Sequence, residues 1–488
     1  MLATSLPAQA PDGIVIDTQN ASIEAYVASH VGYSERPLGI AKPANQDDIE
    51  RLIGWANQHK IGLVPVSSSG GPRRRADTAL SVPAVVVDLS TMDRLIHAEG
   101  RDSIALIEPG MTFPAFDRAL ASHGLRSIKP LMPRSNKSVL ASFLEREPTL
   151  SPNDHWDTTD PLAALSIVFG SGEPFRTGGA SLPGTLEENL KRGNRQMMAS
   201  GPLVTDYGRV LCGSQGTLGI VTWGSVYCER IPECEQAFLY GANDFSPLAE
   251  LSRQLALHQL GAQFFVLNRT QFLAAMCDST ATFEQLFAEC TPGDTLSPWL
   301  LYVNLTASDH LPEQKMQWQT ETLWELAEQA GARLIPSKDG LTAAMLSQRL
   351  HQPPLDYYKD TPRGRHKEVF CLTQLDKVQA MLDAVSPLTT PDSLGGIRLG
   401  VYVQPTIQGV SCHLEFCLFH DASEERQAVQ RVKEFHVALS GEKGFFSRPY
   451  DEWAKTAFEN DTGIVPYLRT VKEMFDPNGI LNPGKLCF

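Results

Sequence analysis

The sequence predicts an α+β chain in two parts, on three observations. Short runs of β-branched and aliphatic residues alternate with helical stripes over the first 230 residues. A second region, from Ile231-Pro232 onward, repeats strands and long helices. The composition is that of a packed protein: of 488 residues, 42% are hydrophobic and 20% charged, which excludes a disordered or fibrous chain. The formal net charge of -14 opposes a phosphate backbone, so nucleic-acid binding is not expected. Runs such as Ala84–Leu89 are far shorter than the ~18 apolar residues of a spanning helix. Met1–Gly13 has neither a basic start nor an apolar stretch, so no signal peptide is read there. The nine cysteines form no C-x-x-C pair. That argues against an iron–sulfur or zinc-ribbon site in this chain, and scattered thiols suit a reducing cytoplasm. No metal site is expected.

Asn45 is the predicted N-cap of a helix with Asp47 and Asp48 in its first turn and a stripe of Ile49, Leu52, Ile53 and Ala56. Ile61–Val66 reads as a buried strand running into the small-residue loop Ser67–Pro72. Ala84–Leu89 and Ser103–Glu108 read as further strands, and Phe113–His123 as a helix stopped by Gly124. Residues 130–162, rich in Pro, Ser, Asn and Asp, read as a long functional loop. Leu165–Phe169 and Ile220–Tyr227 are predicted strands, and residues 174–202 an irregular run. In the second region Phe264–Leu267, Leu300–Leu305, Val401–Gln404 and Cys412–Phe419 read as strands. Ser246–Leu260, Gln271–Ala275 and Glu313–Ala330 read as helices. A helix pair follows Tyr450.

Two loops carry chemistry. At Pro65–Gly71, a strand ends in Ser67, Ser68, Ser69, Gly70 and Gly71. Backbone N–H groups with little side-chain bulk can form an anion-binding concavity there, although a plain surface loop would look the same. At Gly213–Gly219, three glycines let the backbone approach a flat or charged ligand, but without the spacing of a Rossmann fingerprint. No Walker loop is present.

These segments fall in a characteristic order: Leu63–Gly71, Val86–Ser90, Ile107–Gly110, Cys212–Thr222 and finally Phe475–Lys485. In that order they resemble the FAD-linked oxidase family of the vanillyl-alcohol oxidase and p-cresol methylhydroxylase type. Within it, the chain looks most like D-lactate dehydrogenase and glycolate oxidase flavoprotein subunits. The resemblance implies a two-part FAD-binding domain of the p-cresol methylhydroxylase type with an α+β cap domain. The domains would be residues 1–232 (FAD binding), 233–447 (substrate cap) and 448–488 (a segment returning to the FAD domain). It implies that Ser67–Gly71 cradle the pyrophosphate after Pro65. It also implies that Gly213, Gly216, Thr217, Gly219 and Ile220 line the cofactor, with Pro109 and Gly110 nearby and Asn482 and Lys485 in the closing tail.

The chain departs from the family at several points. The first loop reads Ser-Ser-Ser-Gly-Gly rather than Gly-Gly-Gly-Thr-Ser, and no His lies at 67–76, so non-covalent FAD is expected. The second family loop, usually glycine-rich, is matched by Ser135, Asn136 and Ser138 without the glycines. Arg73-Arg74-Arg75 reads as a solvated basic run or as support for the FAD phosphates.

The D-2-hydroxy-acid branch usually carries a His-x-Gly-Asp-Gly-Asn-x-His stretch that helps bind metal and substrate. It is missing here. In its place alternation puts Tyr402 and Gln404 on one face of a strand, and His413 and Glu415 on one face of the next. The readings that stay open are a polar outer sheet face, or four groups converging on the flavin, with His413 as base and Glu415 orienting it or the two as half a metal site. Arg448 lies where the family often has a basic residue near the flavin. Tyr357-Tyr358-Lys359 and Arg363–Lys367 read as a solvated loop rather than a carboxylate clamp, and Asn194-Arg195 is a weaker cationic candidate.

The expected activity is hydride transfer from a small hydroxylated substrate, a 2-hydroxy acid, to flavin N5. Electrons would then pass to a separate acceptor such as an iron–sulfur or electron-transfer subunit, in a homo- or hetero-oligomer. Two alternatives are a para-hydroxyphenyl alcohol or alkylphenol dehydrogenase or oxidase using Tyr402 and Tyr357, and a degenerate flavoprotein serving as a scaffold subunit.

Overall fold

Aliphatic residues on both faces make parallel strands, since such strands need cover on each side. The computed structural model follows this rule from the start and describes residues 2–29, 35–68, 78–152, 161–194, 201, 206–290, 296–336, 341–461 and 463–488. The first sheet holds β1 (Ile16–Asp17), β2 (Gly39–Ala41), β3 (Gly62–Val66) and β4 (Ala84–Asp88), in the order β1-β2-β4-β3. β2 and β3 both run parallel to β4. Helix α1 (Gln46–His59) leads from β2 to β3. The Asn45 side chain accepts from the Asp48 N–H, and Ile49, Leu52, Ile53 and Ala56 are buried, as the sequence predicts.

The second sheet is antiparallel. It contains β5 (Leu95–Glu99), β6 (Ile104–Ile107), β7 (Leu125–Ser127), β8 (Leu162–Phe169), β9 (Pro174–Arg176) and β10 (Gly219–Arg230). Its order is β5-β6-β10-β8-β9, with β7 also on β10. Residues 130–152 are not entirely loop: α2 (Val139–Leu144) lies there, capped by the Ser138 hydroxyl, which accepts from Ala141 N–H. Likewise 174–194 contains β9 and a short helix over Leu186–Lys191.

The third sheet has seven antiparallel strands: β11 (Cys234–Ala242), β12 (Gln263–Asn268), β13 (Trp299–Ala307), β14 (Arg333–Leu334), β15 (Arg365–Thr373), β16 (Arg398–Thr406) and β17 (Ser411–His420). Its apolar face packs on Leu248, Leu251, Leu255 and Phe435, among others, in one core cluster. β11 and β15 were not expected from the sequence. The β16–β17 pair was, and its register sets Tyr402 opposite Glu415 and Gln404 opposite His413.

Residues beyond Tyr450 form α3 (Asp451–Asn460) and α4 (Ile464–Phe475), then return to the first sheet. Leu63 N–H donates to the Ile480 carbonyl, and Asn482 N–H donates to the Leu63 carbonyl, each at 2.7 Å. The turn is held by Asp476, buried to 1% exposure, which accepts from the Ile480 and Leu481 N–H groups. Lys472 Nζ donates to Asp476 (2.5 Å) and to the Thr217 and Leu481 carbonyls. Among the described residues, no helix is long and apolar enough to cross a membrane.

Candidate active site

The ends of β3 and β6 and the start of α2 meet through one hydroxyl network. Ser138 N–H donates to Ser68 Oγ (3.1 Å), and Ser138 Oγ donates to the Pro109 carbonyl (2.5 Å). Beside them opens a cleft. Pro65, Ser67, Ser68, Pro109, Gly216, Gly219 and Ile220 line it, with Leu140 and Ala141 of α2. Gly216 has φ +68°, and a Cβ there would come 2.7 Å from Pro65 Cγ, so the backbone can pass this close to β3 only as glycine.

Other expected cofactor residues stand behind the cleft. A Cβ on Gly110 would meet the Ser90 carbonyl at 2.5 Å, so this glycine permits a tight backbone crossing. Gly213 N–H donates to the Leu144 carbonyl, and Thr217 hydroxyl to the Ser214 carbonyl. Asn482 Nδ2 donates to the Gln215 carbonyl (2.6 Å), which ties the returning tail to the glycine-rich segment. Lys485 does not line the cleft. Ser135 and Asn136 do not reach it either: they face another cavity with Asp278 and Asp356, and Lys137, Leu140 and Ala141 take their place. Ser138 caps α2, whose first turn sets Leu140 and Ala141 toward the cleft. Ser69, Gly70, Gly71, Arg73-Arg74-Arg75 and Arg195 lie outside the described residues. Asn194 donates to Asn189.

A second, polar cavity adjoins the first, for Arg134 and Lys137 line both. Tyr357, Tyr358, Lys359, Glu368, Tyr402, Glu415 and Arg448 line it as well. The solvated-loop expectation for Tyr357–Lys359 is thus corrected: Tyr358 is 1% exposed and Lys359 6%. Lys359 Nζ donates to Glu415 Oε1 (2.5 Å) and to Glu368 Oε2 (2.7 Å). The sequence reading placed Lys359 in a solvated loop and missed Glu368. The period-2 pattern of His366, Glu368 and Phe370 was the available signal.

Burial opposes charge on both Lys359 and Glu415, but their attraction outweighs it. The ammonium is held well above its usual pKa and the carboxyl below its own. Both are charged at neutral pH. Burial pushes the Tyr402 phenol well above its usual value, and its hydroxyl donates to Gln404 Oε1 at 2.8 Å.

His413 stands one layer back, 1% exposed, and is not among the side chains lining the cavity. Arg448 Nη2 lies 3.3 Å from its Nδ1, and Glu415 Oε2 lies 3.4 Å from its Nε2. A guanidinium only donates, so Nδ1 accepts and Nε2 carries the proton toward Glu415. Burial pushes the imidazole down to about 4. The Arg448 guanidinium also covers the Phe370 ring at 4.1 Å. The site thus brings together Tyr402, Glu415 and Arg448 with His413 behind them, and the base role expected of His413 meets a ring engaged at both nitrogens.

A pH dependence follows. Unfolded, His413 titrates near 6.5; folded, near 4. The unfolded state therefore binds the extra proton as pH falls from about 6.5 toward 4, and stability drops by up to about 1.4 kcal/mol per pH unit. Burial of His366 and His436 acts in the same direction. Denaturation midpoints at pH 7 and pH 5 are expected to differ less in His413→Asn than in the parent; equal differences would refute the assignment.

Residues 37–139 match the FAD binding domain family, and residues 423–486 match FAD linked oxidases, C-terminal domain. The chain thus carries both an FAD binding domain and the C-terminal domain of FAD linked oxidases over these residues. A D-2-hydroxyglutarate dehydrogenase of Stutzerimonas stutzeri (strain A1501) is 22% identical to this chain, over 93% of the chain and 92% of the relative. The 4-ethylphenol oxidase from Gulosibacter chungangensis, solved with isoeugenol, superposes with a TM-score of 0.79 at 17% identity, over 96% of this chain and 93% of that one. p-Cresol methylhydroxylase gives 0.78 at 14% identity, over 97% and 94%. The fold is therefore the α+β p-cresol methylhydroxylase type, and FAD is the cofactor. The first cleft fits FAD, being lined by serine hydroxyls and glycine backbone and reaching the polar cavity at Arg134 and Lys137. Ser67, Ser68, Pro109, Ala141, Gly216, Gly219 and Ile220 would hold it. When bound, FAD supplies a hydride acceptor.

Proposed function

We propose that this chain oxidises a small 2-hydroxy acid with FAD and passes the electrons to a separate acceptor, such as an iron–sulfur or electron-transfer subunit. One observation carries the reading: a cavity with two buried cations, Lys359 and Arg448, and an ionised carboxylate, Glu415, opens onto the cofactor cleft. A kinship with a D-2-hydroxyglutarate dehydrogenase supports it.

Arg448 pairs with the substrate carboxylate, for which a guanidinium offers a planar two-donor face. Glu415 takes the hydroxyl proton on a carboxylate oxygen, while Lys359 and His413 Nε2–H fix its orientation. Tyr402 and Tyr358, both buried, keep water from the reacting carbon. Glu415 and Arg448 are thus the groups that touch substrate, and His413 positions both. The nine free cysteines support a reducing compartment such as the cytoplasm.

A second reading has an observation of its own. Tyr357, Tyr402 and Arg448 share this cavity, the set a para-hydroxyphenyl substrate would need. An anaerobic screen of the FAD-loaded protein separates the two. Bleaching of the flavin bands by D-2-hydroxyglutarate, D-lactate, glycolate or mandelate is expected. Bleaching by 4-hydroxybenzyl alcohol alone would overturn the first reading for the second. A preparation that stays colourless after incubation with FAD would leave the scaffold alternative.

A further inference from the structure

We infer that the Lys359 ammonium, clamped between Glu368 and Glu415, is the resident cation of this site and excludes a divalent metal from it. The inference rests on the hydroxy-acid reading for its activity arm only. The side chains with metal-ligating chemistry here are His413, Glu415 and Glu368, and both ring nitrogens and the facing carboxylate oxygens already hold partners. His413 Nδ1 accepts from Arg448, and its Nε2 carries a proton toward Glu415. Glu415 Oε1 and Glu368 Oε2 both accept from one ammonium, at 2.5 and 2.7 Å. Metal ligands must instead offer deprotonated atoms converging on one point. A divalent ion placed among these groups would also face two positive charges, Lys359 and Arg448, in a buried pocket. No group of three or more His, Cys, Asp or Glu among the described residues is arranged to hold a metal. The metal that the D-2-hydroxy-acid branch implies therefore does not fit. The ammonium has three donors, of which two are engaged. The third is left for a substrate oxygen, a fixed positive charge that no chelator removes.

The test begins with the FAD-loaded wild-type protein, soaked in zinc or manganese, gel-filtered and assayed for metal by plasma mass spectrometry. Far less than one ion per chain is expected, and the rate of anaerobic flavin reduction should be the same with and without EDTA. One retained ion per chain that is lost in Glu415→Gln would overturn the inference, as would a rate abolished by EDTA and restored by metal. The second arm is calorimetric titration of Lys359→Ala with manganese and zinc. Removal of the ammonium frees Glu368 and Glu415, so uptake of one ion is expected there and none in the parent or in Lys359→Arg. A Lys359→Ala protein that keeps its FAD yet takes up no ion would overturn the claim that the ammonium is what excludes one. If that variant does not fold, the comparison of wild type with Lys359→Arg decides: both must stay free of metal. The metal assay and titration need no substrate, so failure of the hydroxy-acid reading is seen in the screen and failure of this one here.

Discussion

Glu415→Gln slows anaerobic flavin reduction by roughly 10²–10⁴-fold, the span expected when a positioned proton acceptor is removed, and keeps its FAD. The amide retains the carboxylate's size but cannot take the hydroxyl proton. The cofactor cleft is lined by other residues, so the visible flavin bands survive. The comparison with His413→Ala is decisive. His413 does not line the cavity, so losing its contact to Glu415 should slow reduction less than losing the carboxylate itself. Stopped-flow traces at saturating substrate read both variants side by side. A larger defect in His413→Ala would return the base role to the imidazole. Arg448→Met should act differently, raising KM by an amount equal to about 1.5–3 kcal/mol, the worth of a hydrogen bond to a charged group.

The second large effect lies far from this chemistry. Asp476→Ala is expected to lower stability by about 3–5 kcal/mol, because it strands a buried ammonium. Lys472 is tied to Asp476 at 2.5 Å, and burial already holds its pKa below the usual lysine value. The same substitution removes the acceptor for the Ile480 and Leu481 N–H groups. The tail should detach from Leu63 and the Gln215 carbonyl, and FAD should be released with it. Thermal unfolding with and without added FAD, beside the exposed Glu473→Ala control, reads the effect. Equal melting temperatures in the two variants would refute the anchor.

Much of the scaffold could be read from local pattern. Aliphatic runs marked β3, β4, β6 and β8, and the Asn45 cap marked α1, because each signal lies within a few residues. Alternation placed Tyr402, Gln404, His413 and Glu415 on shared faces, and the register joined them across one strand pair. The Lys359–Glu368 ion pair was harder. Arg365–Glu368 looks like a solvated charge run, yet it opens β15, whose Phe370 lies opposite Glu415. Charges that find their partners across a sheet leave only a faint period-2 trace in the chain. The same holds for Ser135 and Asn136: a six-residue helix starting three positions later decides which side chains turn inward, and so short a helix has almost no periodicity to read.

The bond from Asn478 to Asn57 joins residues 421 positions apart, and it sits beside the pairing of Leu63 with Leu481. Contacts so distant along the polymer form late. On the ribosome, a nascent chain exposes the serines after β3 long before it exposes the asparagine that steadies their opposite wall. The wall that faces the serines is therefore complete only once residue 482 has been translated.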